Sequence, residues 1–173
     1  MNPDDTPQPG ALPRVRQIAD QYMEVLADLD PRAAGALGRS DGVRIPDLTP
    51  DAFAERNELD RRTLQVLQDT SPASEEGQRL RAVMRERLSS DVALYDAGFT
   101  TRLLAPLATP VHGVRTVFDN LPRESRADWE RVCEHLHLVP SALAGYEQTL
   151  AGAARQGHVV ARRQIETMAV QCE

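Results

Sequence analysis

The chain has 173 residues, 41% of them apolar, with a net charge of −6. That length predicts a single domain able to bury a core without a metal or disulfide, and the acidic balance argues against nucleic acid, which requires a clustered basic face. No apolar run approaches a membrane span, and MNPDDTPQPG is acidic and Pro-rich with no h-region, so the expected compartment is the cytoplasm.

Aromatic residues make up only 4% of the chain, so Leu, Val and Ala must fill the core. All 20 basic residues are Arg, a bias that fits a GC-rich bacterial genome better than a set of guanidinium anion sites. The two cysteines, Cys133 and Cys172, fall where apolar helix faces are expected. There a free thiol behaves as a small hydrophobe, and no disulfide is assigned.

In chain order, residues 1–12 carry Pro3, Pro7, Pro9 and Gly10 among polar residues and read as a disordered tail. A helix is predicted from near Pro13, with Val15, Ile18, Ala19, Tyr22, Val25, Leu26 and Leu29 on one stripe; Pro31 ends it. Residues 30–48 lose the pattern and read as a loop, with one short helical turn over residues 32–37. Thr49-Pro50-Asp51 opens the next helix as N-cap, first-turn Pro and acid facing the dipole. Phe53, Leu59, Thr63, Val66 and Leu67 follow, and the run stops near Asp69. Ser74 with Glu75 and Glu76 opens another helix, on which Leu80, Met84, Leu88, Val92, Tyr95 and Phe99 step by three and four until Gly98 marks the end.

Pro110 begins a helix with Val111, Val114, Val117, Phe118 and Leu121, stopped by Pro122. Ser125 and Asp128 form a capping-box variant ahead of a face made by Trp129, Val132, Cys133 and Leu136. Pro140 is expected to end that helix and start the next, which carries Leu143, Tyr146, Leu150 and Ala154 and closes at Gly157. Ala161, Ile165, Met168, Ala169 and Cys172 trace the last helix. No period-2 apolar run appears. The expected fold is all-α: one domain over residues 13–173, a bundle of six or seven mostly antiparallel helices joined by short loops. The last stripe is still amphipathic at Glu173, with no Gly, Pro or basic turn to finish it. The sequence thus anticipates a longer protein, or a partner that covers this helix.

The sequence resembles the N-terminal half of a bacterial family catalogued as domain of unknown function 885. The likeness is carried by Pro106, by Pro110-Val111-His112-Gly113-Val114, by Leu121-Pro122 and by Asp128-Trp129 with Leu136. It continues through Val139-Pro140 and Leu143 to Leu150, Gly152, Gly157 and Arg162. Members of that family resemble gluzincin-type zinc metallopeptidases. The resemblance implies helices that wall a substrate cleft, with zinc held in a C-terminal half on an H-E-x-x-H helix that pairs two His one turn apart with a Glu general base. None of His112, His135, His137 and His158 stands in that pattern, so the resemblance transfers no catalytic residue and no cofactor to this chain.

Among candidate site residues, Cys133, Glu134 and His137 share a helix face at three- and four-residue spacing, a pair of metal ligands at most. His135 is expected to point elsewhere, and the two His to flank a helix C-terminus. His112 in a first helical turn, His137, His158 beside Gly157, and the Arg162-Arg163 pair, whose guanidinium forks fit planar anions, are the cleft or interface candidates. Three functions follow. The first is a non-catalytic cleft wall or partner interface completed by a C-terminal catalytic region or a separate chain. The second is a self-contained helical scaffold acting as a homodimer. The third is a small metal protein built on residues 133–137.

Overall fold

A computed structural model of the protein describes residues 14–39, 43–107 and 109–171. The expectation for residues 1–12 and the placement of Cys172 fall outside these. The described residues form an all-helical bundle without strands. Its helices are α1 (Arg14–Leu29), α2 (Pro31–Ala36), α3 (Pro50–Gln68), α4 (Glu75–Asp96), α5 (Pro110–Asn120), α6 (Arg126–Arg155) and α7 (Arg162–Gln171). None of them is long and apolar enough to cross a membrane.

The helix starts are set by side chains that satisfy first-turn N–H groups. Asp30 accepts from Arg32 N at 2.8 Å, Thr49 from Ala52 N at 3.3 Å and Ser74 from Gly77 N at 3.1 Å. Ser125 and Asp128 complete a reciprocal capping box at α6. At the other ends Gly98 and Gly157 adopt φ of +66° and +87°, the left-handed turn that glycine makes without Cβ strain. Buried Thr63 and Thr70 return their hydroxyls to the carbonyls of Leu59 and Val66, leaving no polar orphan there.

The expected helix break at Pro140 is not observed: α6 runs through it for 30 residues. Proline removes the bond to the Leu136 carbonyl and crowds that turn, but packing on both sides holds the helix together. Upstream, Val132 joins Val117 and Leu121; downstream, Ala142 and Tyr146 join Leu48, Phe53 and Val114. Pro140 itself is exposed. The expected buried face of Trp129, Cys133 and Leu136 is also corrected. Val132 is buried, but Trp129 and Leu136 are 52% and 53% exposed and Cys133 is exposed. The face that packs runs through Val132, Val139, Ala142, Tyr146, Thr149 and Ala153, and the Trp129 stripe is turned about a quarter-circle from it at 100° per residue. Val25, Val66 and Phe99, likewise expected inside, are exposed.

Three clusters of buried residues result. Val15 and Ile18 of α1, Leu67 of α3 and Leu88 of α4 form one cluster, with Tyr22, Leu80 and Met84 against it. The other regions of the core centre on Leu48, Phe53, Val114 and Tyr146 and, beside them, on Val117, Leu121 and Val132. Helices α3 and α6 make direct contact. At Gly145 a Cβ would lie 3.0 Å from Thr49 Cγ2 and 3.3 Å from its backbone nitrogen, so α6 approaches the start of α3 at glycine distance. Thr149 donates across the same seam to Leu48 O at 2.8 Å.

Candidate functional site

Where the clusters fail to merge, an open cleft of about 1350 Å³ runs between α1, α3 and α4 on one side and α5 on the other, with α2 at one end. Each helix contributes a single face. Helix α1 offers Ala19, Tyr22, Met23 and Leu26; α3 offers Phe53, Arg56, Asn57 and Asp60; α4 offers Leu80, Met84, Arg87, Leu88 and Asp91; and α5 offers His112, Gly113, Thr116 and Val117. The lining is therefore an apolar floor carrying a few fixed charges, the usual make-up of a binding cleft.

The charges are distributed unevenly. Tyr22 donates its hydroxyl to Asp60 Oδ1 at 2.9 Å. Burial, and then the neighbouring Asp60 carboxylate, push the Tyr22 phenol up. Asp60 is itself pushed up by burial, with Asp91 adding repulsion and the Tyr22 hydrogen bond opposing it. Asp91 is paired with Arg87 at 3.0 Å. At the α2 end, burial of Asp30 is outweighed by hydrogen bonds from the Arg32 side chain and backbone, which hold its carboxyl below the usual range. Arg56 stacks over the Phe53 ring, 4.7 Å from the centroid, and its Nη1 donates to the carbonyls of Leu29 and Asp47, each at 3.4 Å. Burial lowers its pKa, partly offset by Asp30. Next to it the Asn57 Oδ1 atom is buried with no hydrogen-bond partner among the described residues, an orphan of the kind that needs an explanation.

Of the candidate site residues named from the sequence, His112 alone lines this cleft. Its Nδ1 lies 3.0 Å from Thr109 Oγ1 and 3.5 Å from Thr109 N, so the ring also caps α5. His158 is half-buried against Gly98, where a Cβ would come within 2.2 Å of its ring; it packs the α6–α7 turn onto the end of α4. His137 is exposed and turns Nδ1 onto Cys133 O of its own helix at 2.7 Å. Arg162 pairs with Glu166 at 2.7 Å on the surface, and Arg163 is exposed. His135, expected to point away from the Cys133–His137 face, sets Nε2 3.0 Å from Val43 O across the fold. The helix runs on past both His135 and His137, so neither flanks its C-terminus.

The sequence places Tyr22 only on the apolar stripe of α1 and does not single out Arg56, Asn57 or Asp60. The signal for these three is the i, i+3, i+4, i+7 spacing of Phe53, Arg56, Asn57 and Asp60, which looks like the edge of any solvated helix face.

Residues 31–173 match the family described as bacterial protein of unknown function, DUF885. The chain belongs to this family. No curated protein matches it. Zinc of the kind the resemblance implies does not fit the described part of this DUF885 chain. The four His are dispersed, and among the described residues no three His, Cys, Asp or Glu side chains are grouped to hold a metal ion.

Proposed function

We propose that these helices form a non-catalytic wall of a substrate cleft in a zincin-like hydrolase of the DUF885 family, with bond-breaking groups supplied from outside the described residues. The single observation that carries this reading is the cleft between α1, α3, α4 and α5. It is large enough for a small organic ligand, apolar at its base, and provided with polar groups suited to orienting a ligand. Among the lining hydroxyls, that of Thr109 lies 3.0 Å from His112 Nδ1, but among the described residues no hydrogen bond from a third residue orients that ring as a base. The test uses the 173-residue chain and a pool of short peptides. The expected result is saturable retention of peptides, abolished by Met84→Trp, which fills the cleft floor, with no cleavage by the chain alone with or without added zinc. Cleavage by the purified chain, or retention unchanged by Met84→Trp in a folded protein, overturns the reading.

A second reading, an interaction face, is favoured by the exposed stripe on α6. Trp129, Cys133, Leu136, Pro140 and Leu143 follow one another at four- and three-residue steps and are all exposed. A continuous apolar strip of four turns is the kind of surface that binds a partner chain or a second copy. Sedimentation of the wild type and Leu136→Glu separates the two partners. A dimer dissociated by the substitution supports the homodimer; a monomer at all concentrations removes it.

A further inference from the structure

Arg56 and Asp60 are four residues apart on α3 and both line the cleft. At the same spacing and order Arg16–Asp20, Arg87–Asp91, Arg126–Glu130 and Arg162–Glu166 close into ion pairs of 3.1, 3.0, 2.9 and 2.7 Å. Arg56 and Asp60 do not. Each is half-buried, where opposite charges gain most by meeting, yet no ion pair joins either of them to any described residue. Separate contacts hold them apart. The Arg56 guanidinium lies over Phe53 and on the Leu29 and Asp47 carbonyls. The Asp60 carboxylate takes the Tyr22 hydroxyl through Oδ1.

We infer that this stretch of α3 is a two-pole binding site for a small zwitterionic ligand, with its carboxylate on Arg56 and its ammonium group on Asp60. The guanidinium has free donors in a planar fork suited to a carboxylate. Asp60 keeps Oδ2 for a cation, since the Tyr22 hydroxyl occupies only Oδ1. The inference rests on the reading of the cleft as a place that holds substrate, but it needs no turnover.

The experiment is titration of the full chain with three probes, followed by amide chemical shifts of α3: glycylglycine, N-acetylglycylglycine and glycylglycinamide. Glycylglycine is expected to bind saturably at millimolar concentration. Each blocked form should bind roughly tenfold more weakly, the size of one charge-assisted hydrogen bond. In Arg56→Gln, glycylglycine and glycylglycinamide should become equivalent; in Asp60→Asn, glycylglycine and its N-acetyl form should. Equal binding of all three probes to the wild type, or no saturable shift with glycylglycine, overturns the proposal without reference to either variant's folding. Loss of peptide-pool cleft binding with the glycylglycine preferences intact would instead sink the wider cleft reading alone.

Discussion

Two carboxylates of the cleft carry opposite perturbations, and each has its own pH signature. Asp30 caps α2 and pairs with Arg32 at 2.9 Å, so its folded pKa lies below the unfolded value near 4. Its contribution is present above that pH and is lost as pH falls through the folded value. Asp60 is raised, first by burial. Its contribution is complete below the unfolded value and is lost as pH rises through the folded one. In urea unfolding from pH 3 to 7, Asp60→Asn should therefore match the wild type at pH 3 and exceed it at pH 7. Asn can keep the Tyr22 bond, and partial exposure limits the gain to about 1 kcal/mol or less. Asp30→Ala should show the reverse trend, losing about 1 kcal/mol at neutral pH for the missing cap and less in acid. A Gly98→Ala change tests a different residue-scale constraint. Gly98 has φ +66°, and a Cβ would meet the His158 ring at 2.2 Å. Backbone strain and displacement of the ring together should cost roughly 2–4 kcal/mol. Adding His158→Ala should restore only the steric part; full recovery would mean the backbone at Gly98 carries no strain.

At the scale of elements, most of the bundle was legible because its starts and stops are local chemistry. Thr49, Ser74, Ser125, Gly98 and Gly157 each act within one turn of where they sit, so their roles survive any tertiary arrangement. Helix α6 was misread for the complementary reason. Proline carries a strong local preference for ending a helix, and here the packing of Val132 on one side and Ala142, Gly145 and Tyr146 on the other outweighs it. The Trp129 stripe was misread because periodicity identifies an apolar face without saying what lies opposite it. If α6 is one helix strained at Pro140, then Pro140→Ala restores the N–H bond to Leu136 O. An interior proline costs about 3 kcal/mol and loses about 1 kcal/mol of that through a stiffer unfolded chain, so the variant should gain roughly 1–2 kcal/mol by urea unfolding. A neutral or negative result would indicate two helices that meet at Pro140. The cleft was the least legible feature: Tyr22, Asn57 and Asp60 become a site only when α1, α3, α4 and α5 come together, and each alone resembles ordinary helix surface.

At the scale of the molecule, the cleft implies that stability is not shared evenly. Leu67, fully buried among Val15, Ile18 and Leu88, belongs to the α1–α3–α4 cluster. Phe53, 7% exposed, belongs to the cluster that seats α5 and α6 on the start of α3. Truncating either to Ala removes a large buried side chain and should cost about 2–5 kcal/mol. The two losses should differ in where they are felt. Native-state hydrogen exchange resolves this, because regions that open separately report their own free energies. Phe53→Ala should accelerate exchange across α5 and the middle of α6 while leaving Leu88 and its neighbours in α4 near wild-type protection. Leu67→Ala should do the opposite, exposing α1 and α4 and sparing Val114 and Val117. Helix α3 belongs to both clusters and should respond to both substitutions. Such a pattern would make the cleft the seam between two units that open independently, the arrangement that lets a ligand between them be admitted and held by small movements of α5. Uniform acceleration by both variants across α1, α4 and α5 would show instead that the fold opens only as a whole, and the cleft would then be a fixed surface groove.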